Sequence, residues 1–175
     1  MGNKSKNIGK AFERECCKIL EKFFDLPFQR VPNSGAFIGG QNAFRISKLS
    51  ASQTLLAKGD IIPPDELPNL IIECKKRRVI AYHQFFQDNG SKDLNEWIDQ
   101  TEIDYVACGE VGVYIILFKS NNRGRFVCFL KDSGLIPNIN HVYYNYNKKE
   151  YLITEFNDTF LNNNKDIIFD KCKPL

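Results

Sequence analysis

The chain reads as a mixed α/β (α+β) fold, a central mixed β-sheet flanked by helices. Two observations carry this. Strand-like apolar runs fall in the order helix, three strands, helix, two strands, which suits a small sheet with helices packed on it. One run, "VGVYIILF" at 111–118, is apolar throughout, as in a strand covered on both faces.

Residues 7–24 have helical periodicity, with Phe12, Cys16, Ile19, Leu20 and Phe23 recurring on one side and Pro27 closing the segment. "FQRVPN" at 28–33 is a short extended piece. Residues 35–57 have no clean period; Gly39-Gly40 and a polar mixture give a long loop, and long loops are often functional. Residues 58–62 and 69–76 are strands joined by the turn-rich "PPDELP". Residues 93–106 form a helix, with Asp93 and Glu96 at capping-box spacing and Leu94, Trp97, Ile98 and Thr101 on one face. "RFVCFL" at 125–130 is a strand. "HVYYNY" and "YLITEF" make a hairpin around Asn147-Lys148-Lys149, and a short polar helix and tail follow. At 175 residues the chain is expected to be one domain over 1–175, with a core of about 7–130 and an extension over 131–175.

Composition narrows the function only slightly. A net charge of +3 permits nucleic acid as a partner without arguing for it, so any basic surface must be local. No apolar run approaches the roughly 18 residues of a membrane span, and "MGNKSKNIGK" lacks a signal-peptide core, which points to the cytoplasm and no membrane. The six cysteines include no C-x-x-C, and the two histidines lie far apart, so a zinc site is not expected. Buried reduced thiols are the plain reading.

Three acids stand where apolar residues are expected. Along 70–75, Leu70, Ile72 and Cys74 point one way, and Ile71, Glu73 and Lys75 the other. If "PPDELP" closes a hairpin, residues whose numbers sum to about 133 lie opposite each other, which puts Asp60 near Glu73. At about 100° per residue, Glu13 falls inside the apolar arc of the first helix. Like charges this close repel unless a cation lies between them. Metal-assisted phosphodiester hydrolysis needs such a set, because Mg²⁺ takes one or two carboxylates plus water and phosphate oxygens. A lysine two residues from a ligand reaches the attacking water or the phosphate. The bland alternative is an ion pair between Glu73 and Lys75 on an exposed sheet face, with Asp60 capping a turn.

These residues resemble a known family. "KGDII" followed by "IIECKK" is similar to the core of the PD-(D/E)XK nucleases, which have a restriction-endonuclease-like fold. "GKAFERE" from Gly9 and "QRVPNSGAF" from Gln29 resemble the Holliday junction resolvase branch, including phage-type endonucleases. "LNEWIDQ" at 94–100 is similar to a W-x-x-Q helix of the phage-type group, and "LFKSNNRGRFVCFL" to the two strands that follow. The likeness covers about 9–130. Gly59 stands where the family's pattern has proline, and residues 131–175 carry none of the motifs on which the resemblance rests.

The resemblance implies a Mg²⁺-dependent DNA endonuclease, structure-selective in the manner of a resolvase, with Mn²⁺ able to substitute. Asp60, Glu73 and the main-chain carbonyl of Cys74 would hold the metal, Glu13 would help, and Lys75 would be the catalytic lysine. Arg30 and Ser34 match the family's loop segment and would touch the DNA backbone, and Gln100 matches a polar position facing the site. From the residues themselves, Lys76, Arg77 and Arg78 continue from the catalytic strand and suit phosphates, as do Lys58, Arg45 and Lys48. The partner is then DNA, branched or duplex. Cutting two symmetric strands calls for a homodimer. The competing readings are a sequence-specific or nicking nuclease of restriction or repair type on the same core, and a non-catalytic DNA-binding module.

Overall fold

The computed structural model describes residues 2–32, 58–87, 89–121 and 123–174. Ser34, Arg45, Lys48 and the loop expected over 35–57 lie outside the described residues. Helix α1, Gly2–Phe24, leads to strand β1, Gln29–Arg30. Strands β2, Ile61–Ile62, and β3, Leu70–Arg77, come next. A 3-10 turn at Tyr82–Phe86 precedes helix α2, Lys92–Ala107. Strands β4, Val113–Ser120, β5, Arg125–Leu130, β6, His141–Tyr146, and β7, Lys149–Glu155, lead to helix α3, Asp158–Cys172.

Among the described residues the strands form one sheet, ordered β1-β2-β3-β4-β5-β7-β6. Only β3 and β4 run parallel; the other neighbours are antiparallel. The mixed α/β fold is therefore as the sequence predicts. The β2–β3 register is Ile61 opposite Ile72, so opposed residues do sum to 133. The β6–β7 hairpin turns through Asn147 and Lys148, both with positive φ, as a two-residue turn of matching twist requires.

Each face of the sheet carries its own core. On one, α1 and α3 bury Phe12, Cys16, Leu20 and Phe160 against Leu70, Ile72, Cys74, Ile115 and Leu117. On the other, α2 and the 3-10 turn bury Phe85, Leu94, Trp97 and Ile98 against Ile71, Tyr114, Ile116 and Phe118. Strand β4 lies between the two and is buried on both sides, which is why its sequence shows no alternation.

Three local expectations are corrected. The cap of α2 is Ser91, whose hydroxyl accepts from the Leu94 amide, not the Asp93–Glu96 box; Asp93 lies in the first turn, where the helix dipole favours an acid. Phe23 packs half-buried against the α1-side core as expected, and Phe24 beside it is buried as well. The strand expected over 58–62 is only Ile61–Ile62, because residues 58–60 bend through Gly59 at φ +66°. The last helix is not short and polar: it spans 15 residues and buries Phe160, Leu161, Asn164, Ile168 and Cys172. Asn164 hides the pattern. It is wholly buried on the apolar face, donating to the Ile136 and Phe160 carbonyls and accepting from the Ile136 amide.

Candidate active site

Asp60 is built into the end of the β2–β3 hairpin by its backbone. Its amide donates to the Ile72 carbonyl at 2.8 Å, and its carbonyl accepts from the Val31 amide at 2.9 Å. The carboxylate turns toward β3, where Oδ2 accepts from the Cys74 amide at 2.9 Å. A charge-assisted bond of this kind fixes the rotamer of an acid that is only 8% exposed. Amide and carbonyl of one strand residue leave the same edge. The Cys74 carbonyl therefore leaves β3 on the edge where Asp60 sits.

Glu73 follows on β3 and is 2% exposed. Burial and the negative charge of Asp60 push its carboxyl up to about 8, against the pull of Lys75. The Lys75 ammonium pairs with Glu73 Oε1 and donates to Gln100 Oε1 on α2 at 2.8 Å. Glu73, Lys75 and Gln100 thus meet between β3 and α2, on the face that strand alternation assigns to both β3 residues. An exposed Glu73–Lys75 pair is excluded by the burial. A lone buried carboxylate costs several kcal/mol unless it is paired, and here one ammonium serves a site flanked by two buried acids.

Asp104, which sequence reasoning missed, is a third acid at this site. It lies one helical turn beyond Gln100 on the same face of α2, and its Oδ2 accepts from the Gly59 amide at a long 3.4 Å. Burial raises its pKa; the Gly59 amide and the Lys58 charge oppose that, and the Asp60 charge adds to it. The four-residue spacing from Gln100 was the available signal. Lys58 is only 6% exposed, with its ammonium beside Asp104 and the Cys108 thiol. Between them Gly59 runs so close to β3 that a β-carbon would sit 2.5 Å from the Ile72 carbonyl oxygen. Proline, held at φ near −65°, could not adopt this backbone, which accounts for glycine before the acid.

The other expected residues are spread more widely. Glu13 is buried on α1, across the sheet from Glu73, and Oε2 accepts from Arg30 Nη1 at 3.1 Å. Arg30 Nη1 also donates to the Val31 carbonyl, so this pair clamps α1 to the edge strand β1. Arg77 stacks over Trp97 and lies 3.6 Å from Asp93 on α2. Lys76 is half-buried and Arg78 is exposed.

Among the described residues, no group of three or more His, Cys, Asp or Glu side chains gathers that could hold a metal ion. A magnesium site does not need three, since one or two carboxylates plus water and phosphate oxygens complete it. Asp60 and Glu73 offer hard oxygen donors, and the charge of one opposes ionisation of the other. A divalent cation removes that conflict, so the donor set fits such an ion.

An acid before a short hairpin, with E-x-K on the following strand of a mixed sheet between helices, defines the core of a PD-(D/E)XK nuclease. The family model described as "Phage putative PDDEXK endonuclease" matches residues 4–173, and the chain belongs to that family. The match runs through β6, β7 and α3, beyond the likeness legible in the sequence alone. Comparison with curated proteins gives no match, and comparison with solved structures gives none either.

Proposed function

We propose that this protein is a Mg²⁺-dependent endodeoxyribonuclease that hydrolyses phosphodiester bonds in branched DNA, in the manner of a junction resolvase, with Mn²⁺ able to replace Mg²⁺. One observation carries the hydrolytic part: Asp60 and Glu73 are buried together, with Lys75 held between Glu73 and Gln100. Asp60, Glu73 and the Cys74 carbonyl would hold the metal. The ion, when bound, supplies positive charge to the phosphate and makes water easier to deprotonate.

The chain's own groups do the rest. The Cys74 amide holds Asp60 in one rotamer. Gln100 accepts from Lys75 and so aims the ammonium, which stabilises charge developing on the phosphate. Glu13 and Arg30 fix α1 beside the hairpin. Ser34, Lys76, Arg77 and Arg78 contribute backbone contacts to DNA. Two symmetric cuts in a junction require a two-fold homodimer.

The experiment is a cleavage assay in Mg²⁺ with an EDTA control. It compares a labelled four-way junction, a splayed duplex and a plain duplex of shared sequence. Paired nicks confined to the junction are expected. Equal cutting of all three would remove the branch selectivity and leave a duplex nuclease. No cutting of any, in Mg²⁺ or Mn²⁺, would overturn the hydrolytic reading.

A further inference from the structure

The parallel strands β3 and β4 end together, and β5 begins beside them. In register across these three strands stand Lys76, Lys119 and Arg125. Strand alternation puts all three on the α1 face, since Cys74, Leu117 and Val127, two residues away on each strand, all belong to the α1-side core. This is the face opposite Glu73 and Lys75. Neighbouring strands lie about 4.8 Å apart, so the row is ~10 Å long.

Like charges directly opposed across strands are destabilising. Here two such contacts occur in succession. Among the described residues one acid pairs with them: Glu15 of α1, whose Oε1 accepts from Lys119 Nζ at 2.9 Å and from Arg125 Nη1 at 3.2 Å. Partial burial alone would raise the Glu15 pKa, but the bonds and charges of Lys119 and Arg125 hold it below its ordinary value. A structural ion pair needs one cation for one acid. Three cations against one leave a net positive row, and its side chains keep water contact, with Arg125 38% exposed. Arg123 and Arg78 are exposed at the same end of the sheet. Ligands of parallel sheets collect outside the carboxyl ends of the strands, and a polyanion is the ligand whose charge this row complements.

With the protein read as a DNA nuclease, we infer that Lys76, Lys119 and Arg125 form a second phosphate-backbone site, on the sheet face opposite the catalytic acids. Strand β3 links the two sites directly, because Lys75 and Lys76 are neighbours that point to opposite faces. The DNA backbone crosses the end of the sheet, with the scissile phosphate on the α2 side and a flanking segment on the α1 side. Glu15 competes with phosphate for Lys119 and Arg125, and so limits affinity.

The test is binding of a fluorescein-labelled 30-base-pair duplex and a four-way junction, followed by anisotropy in EDTA across an NaCl series. Lys119→Gln, Arg125→Gln and Glu15→Gln are compared with wild type, and each fold is checked by circular dichroism. Each cation lost is expected to weaken binding about tenfold at low salt and to reduce the slope of log K against log[NaCl] by about 0.9. Glu15→Gln is expected to tighten binding several-fold, which a purely structural ion pair does not predict. Wild-type affinity and slope in both cation variants, or unchanged binding in Glu15→Gln, overturns the site, as does absence of wild-type binding. Binding that responds as expected while Mg²⁺ gives no cleavage would sink the nuclease reading and leave this site standing.

Discussion

The amide of Cys74 donates to Oδ2 of Asp60 at 2.9 Å, so the residue inside the E-x-K motif fixes the acid that lies outside it. Sequence separation hides this link, since the two residues lie 14 positions apart. The hairpin register supplies it, and the rest of the site is arranged around that contact.

Removing the charge of Asp60, Glu73 or Lys75 should stop catalysis without unfolding the chain. Asp60→Asn, Glu73→Gln and Lys75→Ala are each expected to lower junction cleavage by at least about 10²-fold, the scale for loss of one well-placed stabilising group. The readout is single-turnover cutting, with thermal melts as the folding control. Full activity in any one would remove that residue from the site.

Glu73 makes metal-free stability depend on pH. Unfolded, its carboxyl has an ordinary value near 4.5; folded, it is raised to about 8. Between those values the folded state binds more protons, so this contribution is complete below about 4.5 and is lost as pH rises through about 8. Melting of the wild type in EDTA should fall across that window, and Glu73→Gln should flatten the profile. Parallel profiles for the two proteins would contradict the shift.

Divalent metal should reverse that loss. At a concentration 100 times its Kd, Mg²⁺ stabilises a folded protein by about 2.7 kcal/mol. For a chain of this size each kcal/mol shifts Tm by about 2–4 °C. A rise on that scale is expected for the wild type at pH 8, with none for Asp60→Asn or Glu73→Gln. An equal rise in all three would place the metal elsewhere.

Gly59→Ala tests the close approach beside Asp60. The positive φ and the Ile72 carbonyl both oppose a β-carbon there. A loss of more than about 1 kcal/mol is expected, because alanine is incompatible with this backbone. Cleavage should fall beyond what the stability loss explains, since Asp60 moves with its neighbour. Chemical denaturation and cleavage at a temperature well below the melt separate the two effects.

Asp104 is a positioning residue in this scheme, acting through Gly59 and Lys58. Asp104→Asn keeps an oxygen acceptor for the Gly59 amide and should retain most of the activity, whereas Asp104→Ala should lose about tenfold. Equal losses in the two variants would mean that the charge, not the hydrogen bond, matters.

Much of the fold and part of the site were legible in the sequence for local reasons. Period-two alternation put Glu73 and Lys75 on one face of β3, helical periodicity put Glu13 on the buried arc of α1, and the turn residues of "PPDELP" set the register that brings Asp60 beside Glu73. The unbroken apolar run of β4 announced a strand covered on both faces. The tertiary structure decided what depends on contact between distant elements. It placed Glu13 and Glu73 on opposite faces of the sheet and gave Glu13 to Arg30. Packing of α2 on β3 delivered Asp104 and Gln100 together, although in sequence only their four-residue spacing was visible. It turned an asparagine-rich tail into a helix with a buried face, because Asn164 finds backbone partners that no periodicity reveals. The row of Lys76, Lys119 and Arg125 exists only once three strands are set side by side, because register is a property of the sheet and not of any one strand.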